Sequence, residues 1–149
     1  MKPTLAPGLT PEATLRVTDD LTVPRASPQF TTFAVMPRVF ATAYMAGFVE
    51  AACIDCVRRH LDLGEHSVGT HVDVSHVAAT PVGMEVSVRV RLTEVDRRAL
   101  VFEVEASDVA GPIGEGTHRR AVIDIARFMA KIGEELDQRS GVFQSGVTA

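Results

Sequence analysis

The chain has 149 residues, 46% of them apolar and 23% charged, with a formal net charge of -4. That is the composition of a globular protein long enough to bury one core without staples, and it excludes a basic nucleic-acid surface. The amino terminus has no signal-like apolar run, and the longest apolar stretch, around residues 40–54, is short for a span and contains a carboxylate, so a cytoplasmic protein with no membrane segment is expected.

Residues 1–11 hold three prolines and read as a loose arm. Ala13 to Val23 gives the first strand signal, and Pro24 to Pro37 reads as an irregular segment that lays Phe30, Phe33 and Met36 over something. A helix is predicted from about residue 38 to 61, apolar on all sides and therefore expected in the core, with basic residues in its last turn and Gly64 to end it. Glu50 is its one anomaly: between Arg38 and Asp55 no other residue is formally charged, and a buried carboxylate must be paired or put to use.

Strands follow. In Gly69 to Thr80, period two places Val72, Val74, His76 and Ala78 on the apolar face; Met84 to Val95 alternates Val86, Val88, Val90 and Leu92 against polar neighbours, and Leu100 to Ala106 does the same. Turns are expected at Pro81 to Gly83, Asp96 to Arg98 and Asp108 to Pro112. Ile113 to Ile125 is the last strand, where Gly114 and Gly116 on one face predict close approach of a ligand or another backbone. A helix over Ala126 to Arg139 and a flexible tail over 140–149 complete a single domain of α+β class.

Cys53 and Cys56 form a C-x-x-C inside the helical pattern, without the strand or second ligand pair that a redox or zinc site needs, and read as two small buried hydrophobes. No metal is expected. Glu50, a lone histidine on an apolar strand face (His76) and a threonine near a helix start (Thr42) each have an ordinary structural reading; only in combination do they suggest a site.

The order of elements and three segments, PRVFATAYMAGFVEAAC (Pro37 to Cys53), SVGTHVDVSHVAATPVGM (Ser67 to Met84) and IGEGTHRRAVI (Ile113 to Ile123), resemble the fluoroacetyl-CoA thioesterase-like family of hot-dog thioesterases, from about Pro28 to Lys131. The resemblance implies a hot-dog fold: a curved antiparallel sheet wrapped around a central helix, with a C-terminal helix. It implies an acyl-CoA thioesterase acting on a short or small polar acyl group, with no cofactor beyond the coenzyme A of the substrate, in a homodimer with its sites at the join. The catalytic set carried over is Thr42, Glu50 and His76; Gly69, Phe33, Met36 and Arg120 are the substrate-binding positions. At Met36 the sequence departs from the family's aromatic lid, a more pliable side chain replacing phenylalanine, so thioester hydrolysis is implied more firmly than selectivity for a fluorinated acyl group. The competing readings are a non-catalytic hot-dog module that binds an acyl thioester or another small ligand, and a hydratase or dehydratase.

Glu50 can attack the thioester carbonyl or act as general base on water, His76 can move protons or polarise the acyl group, and Thr42 can donate a hydrogen bond. Eight residues of ideal helix separate Thr42 from Glu50 by about 12 Å along the axis and about 80° around it. A shared site therefore requires the helix to break or begin near Thr42, which would be its N-cap.

Overall fold

The computed structural model describes residues 1–144. Its elements are β1 (Glu12–Arg16), α1 (Thr42–Arg58), β2 (Glu65–Val74), β3 (Glu85–Asp96), β4 (Ala99–Asp108), β5 (Gly111–Asp124) and α2 (Ile125–Gln144). All five strands form one antiparallel sheet in the order β1-β3-β4-β5-β2. The sheet curls around α1, which is the hot-dog arrangement the resemblance implies.

Alternation in β3 and β4 decides which face curls inward. Val86, Val88, Val90 and Leu92 share this face with Leu100, Phe102, Val104 and Ala106, all buried, while Glu85, Arg89, Arg91, Glu103 and Glu105 point outward. Against this face α1 lays Met45, Val49, Ala52, Cys53, Cys56 and Val57, each buried and spaced as one helical stripe. Burial of each larger apolar side chain in this layer contributes about 1.5–3 kcal/mol. The helix is thus not enclosed all round as expected: Ala43, Gly47, Ala51 and Ile54 lie exposed on its opposite face. No helix among the described residues is long and apolar enough to cross a membrane.

Several boundaries differ from the predicted ones. The first strand ends at Arg16, and the chain continues through three 3-10 turns, Asp19–Leu21, Val23–Arg25 and Thr31–Val35. Extended backbone persists to Ala41 because Phe40 N–H donates to the Thr80 carbonyl at 2.9 Å and Ala41 N–H to the Leu21 carbonyl at 3.0 Å. These bonds delay the helix to Thr42, four residues later than predicted. At its far end Gly64 (φ 82°) turns the chain into β2.

The proline-rich arm is tied down rather than loose. Lys2 N–H donates to the His60 carbonyl at 2.9 Å, Gly8 N–H to Leu92 at 2.8 Å and Val90 N–H to Pro11 at 3.1 Å, while Leu5 is buried in the core. Prolines cost the arm donors without preventing its carbonyls from accepting from β3. At the other end α2 runs to Gln144, past the predicted Arg139; the rest of the expected flexible tail, 145–149, lies outside the described residues.

Gly114 and Gly116 do admit another backbone. A Cβ at Gly114 would collide with the Ser75 carbonyl oxygen, and one at Gly116 with that of Asp73. The β2–β5 register therefore requires both glycines. Gly116→Ala should lower stability by about 1–3 kcal/mol as β2 is pushed off β5; urea titration of both proteins measures this, and an unchanged midpoint would contradict the packing described.

Candidate active site

Glu50 sits two turns into α1 with its side chain 46% exposed, against a guanidinium that is only 2% exposed. Arg120 Nη1 donates to Glu50 Oε1 at 2.9 Å. Its other donors are also engaged: Nε to Ser67 Oγ at 3.0 Å, Nη2 to the Ser67 carbonyl at 2.6 Å, and Nη1 also to His118 Nε2 at 3.0 Å. Among the described residues no hydrogen bond reaches Glu50 Oε2. The carboxylate is thus fixed by one oxygen and open at the other.

The opposite wall of the site is Gly69 on β2. A Cβ there would meet Glu50 Oε1 at 2.5 Å, so only glycine leaves room for the carboxylate as Arg120 holds it. Between Gly69 and His71 the β2–β5 register slips, leaving Thr70 as the extra residue of a bulge, a device that re-aims side chains next to functional sites. Ala46, Glu50, Gly69, Thr70, His71, Val72 and His118 line a cavity of about 340 Å³.

A second cluster lies at the start of α1. Thr42 is the first helical residue, after Ala41 as N-cap (φ -74°, ψ 139°), so it stands one position beyond the expected cap, and Ala41 makes no side-chain cap bond. Thr42 Oγ1 lies 2.8 Å from His76 Nδ1. His76 is not on a regular strand: β2 ends at Val74, and the chain continues beside β5 through single bonds from Ser75 N–H to Glu115 (2.9 Å) and Val77 N–H to Ile113 (2.8 Å). Its ring packs edge-on to Phe40, with centroids 6.3 Å apart. Burial lowers the pKa of His76 below the ordinary histidine value of 6.5, with the Ala78 backbone acting in the opposite sense. Among the described residues no hydrogen bond of ordinary geometry reaches its buried Nε2. An unpartnered polar atom of this kind is costly and marks a place for a ligand group.

The three expected catalytic residues therefore do not converge within one chain. α1 is unbroken from Thr42 to Glu50, so Thr42 pairs with His76 while Glu50 faces Arg120, His118 and Gly69. Arg120, expected as a substrate-binding residue, is instead buried and spent on protein partners. His118 and Ser67 were not among the expected site residues. The signal for His118 is the period-two face shared with buried Val122, which places His118 and Arg120 inward and Arg119 outward.

Phe33 lies in the third 3-10 turn and Met36 directly after it, the latter 48% exposed. Tyr44 Oη, in the first turn of α1, donates to the Ala26 carbonyl at 3.4 Å and holds this loop beside the helix start. Cys53 and Cys56 are free and buried; desolvation pushes their thiols up to about 12 and about 11, which leaves them inert as nucleophiles.

Residues 17–126 match the model of the fluoroacetyl-CoA-specific thioesterase family. The chain is 41% identical over 126 residues to the fluoroacetyl-CoA thioesterase of Streptantibioticus cattleyicolor, covering 80% of this chain and 91% of that one. It is similar to the solved structure of a point variant of the fluoroacetyl-CoA-specific thioesterase in complex with fluoroacetate and CoA, with 40% identity and a TM-score of 0.81 over 83% of this chain and 99% of that one. A thioesterase superfamily member from Thermus thermophilus shares 26% identity and a TM-score of 0.79 over 94% and 98% of the two chains. The chain belongs to the fluoroacetyl-CoA-specific thioesterase family.

Proposed function

We propose that the protein hydrolyses a short or small polar acyl-CoA thioester, with Glu50 as the reacting carboxylate and Thr42 and His76 completing the catalytic set. One observation carries the assignment of Glu50: a buried Arg120 fixes one carboxylate oxygen, Gly69 makes room for it, the other oxygen accepts no hydrogen bond among the described residues, and Glu50 lines a cavity. Glu50 Oε2 either attacks the thioester carbonyl, forming a mixed anhydride as the C–S bond breaks, or takes a proton from the water that attacks it. Both routes need the ionised carboxylate and release coenzyme A as a thiol. The orphaned His76 Nε2, with Nδ1 engaged by Thr42, supplies a polar contact for the acyl group or a path for its protons.

The working unit we infer is a homodimer. β2 is an unpaired sheet edge, and α1 presents Ala43, Gly47, Ala51 and Ile54 at helical spacing to solvent. Two antiparallel copies of α1 that cross beside Ala46, the midpoint between Thr42 and Glu50, bring Thr42 of one copy level with Glu50 of the other. Gly47, where a Cβ would meet nothing within 4 Å, lets the helices approach closely. Free, buried thiols at Cys53 and Cys56 fit a reducing compartment such as the cytoplasm.

The test is a panel of acyl-CoA thioesters with free-thiol detection. Wild type should release thiol from at least one small acyl-CoA, and Glu50→Gln should lower kcat/KM by roughly 10²-fold or more. No release by wild type from any member would remove the hydrolase reading; a fully active Glu50→Gln protein would remove Glu50 from the chemistry.

A further inference from the structure

We propose that His118, in the tautomer carrying its proton on Nδ1, is a positioning residue that aims Arg120 at Glu50 and releases it when the imidazole gains a second proton. The inference rests on the hydrolase reading above and adds to it a residue that acts through Arg120.

Both neighbours of the ring dictate the tautomer. His118 is 2% exposed, and its Nδ1 lies 2.8 Å from the His71 carbonyl oxygen. A carbonyl only accepts, so Nδ1 carries the hydrogen. Nε2 is then a bare lone pair, 3.0 Å from Arg120 Nη1, and a guanidinium only donates. The same Nη1 donates its other hydrogen to Glu50 Oε1. Because the guanidinium is planar, Ser67 at one end and His118 at the other fix the direction in which Nη1 meets the carboxylate. His118 does not hold Glu50 itself: Nε2 is 3.9 Å from Oε1. The ring is seated so closely that a Cβ at Gly69 would lie 3.3 Å from its Cε1.

A second proton reverses this arrangement. Nε2–H would face Nη1–H across 3.0 Å, two donors on two cations, and Arg120 would have to turn away, leaving Glu50 without its anchor. The titratable groups facing the ring are Glu50 from α1, Arg120 from β5 and His71 from β2, while β4 opposes it with uncharged Phe102. Burial is the largest influence and holds the ring neutral below the ordinary value of 6.5; Arg120 and His71 act in the same sense, and the His71 carbonyl and Glu50 oppose it. A depressed folded value makes the network fully formed above pH 6.5 and lost as the pH falls through the folded value.

The experiment compares wild type, His118→Gln and His118→Phe as full chains by two readouts. The first is imidazole 15N NMR, with the His118 signals assigned by their absence in the variants. It should show a protonated Nδ1 and a bare Nε2 at pH 7.5, titrating below the ordinary histidine range. The second is kcat and KM against pH with the best small acyl-CoA of the panel. In the His118→Gln protein the amide oxygen can still accept from Arg120 but cannot titrate, so kcat at pH 7.5 should stay within about threefold of wild type and the acid loss that tracks His118 should vanish. The His118→Phe protein fills the space without an acceptor, and kcat should fall roughly tenfold or more with less change in KM, as misplacement of a reacting group predicts. An Nε2–H tautomer at pH 7.5, or identical pH profiles in all three proteins, would overturn the proposal. If wild type hydrolyses nothing, the hydrolase reading fails while the NMR readout still decides the tautomer and its titration.

Discussion

The site depends on one buried cation. An ionised guanidinium that is 2% exposed is costly unless its donors are satisfied, and Arg120 makes four hydrogen bonds to three residues, Ser67, His118 and Glu50. Two of those residues lie on the β2–β5 pair: Ser67 is registered against Val122, and His118 lies two residues before Arg120 on the same face. The pairing is possible only because Gly114 and Gly116 lack side chains where the Ser75 and Asp73 carbonyls pass. Strand register, arginine geometry and the aim of Glu50 are therefore one constraint. Breaking it at any partner leaves a buried charge short of a bond, which costs more than the bond itself contributed.

The helix imposes the second constraint. Its start is set by extended pairing of Phe40 with Thr80 and Ala41 with Leu21, and its unbroken course then carries Glu50 away from Thr42. One chain thus presents two separate clusters: a hydroxyl and imidazole at the helix start, and an anchored carboxylate two turns on. Small residues on the exposed face of α1 and an open β2 edge are the features that a second copy would use to join them.

Much of the architecture was legible because period-two alternation runs from Glu85 to Leu92 in β3, up to a register shift at Thr93, and from Ala99 to Ala106 in β4, and because α1 and α2 carry apolar residues at helical spacing. The close approach at Gly114 and Gly116 was legible for the same reason. What failed did so where tertiary bonds overrode local pattern. Val72 shares the inward face with its partner His118, as the period predicted, yet it is 50% exposed because it lines the open cavity beside Glu50. His76 lies beyond the end of its strand, the amino-terminal arm is tied to β3 through Gly8, Leu9 and Pro11, and the helix start moved because Thr80 and Leu21 claimed the preceding N–H groups. Thr42, Glu50 and His76 could be named from motif resemblance, and the separation of Thr42 from Glu50 by about 12 Å followed from helix geometry; that Thr42 pairs with His76 while Glu50 pairs with Arg120 was not legible, because both pairings depend on tertiary contacts. The burial of Arg120 was visible in principle from its shared face with Val122, but a charged residue in a strand next to a second arginine reads first as solvent-facing.

The central claim is that an Arg120-anchored Glu50 of one copy works with Thr42 and His76 of another. Mixing chains tests it most directly: Thr42→Ala and Glu50→Gln proteins, each of low activity alone, are unfolded together, refolded in equal amounts and assayed for thiol release. If the set is shared between copies, half the dimers are mixed and each carries one site with both changes and one with neither, so roughly a quarter of wild-type activity returns. Activity no greater than the average of the two parent proteins would contradict the account.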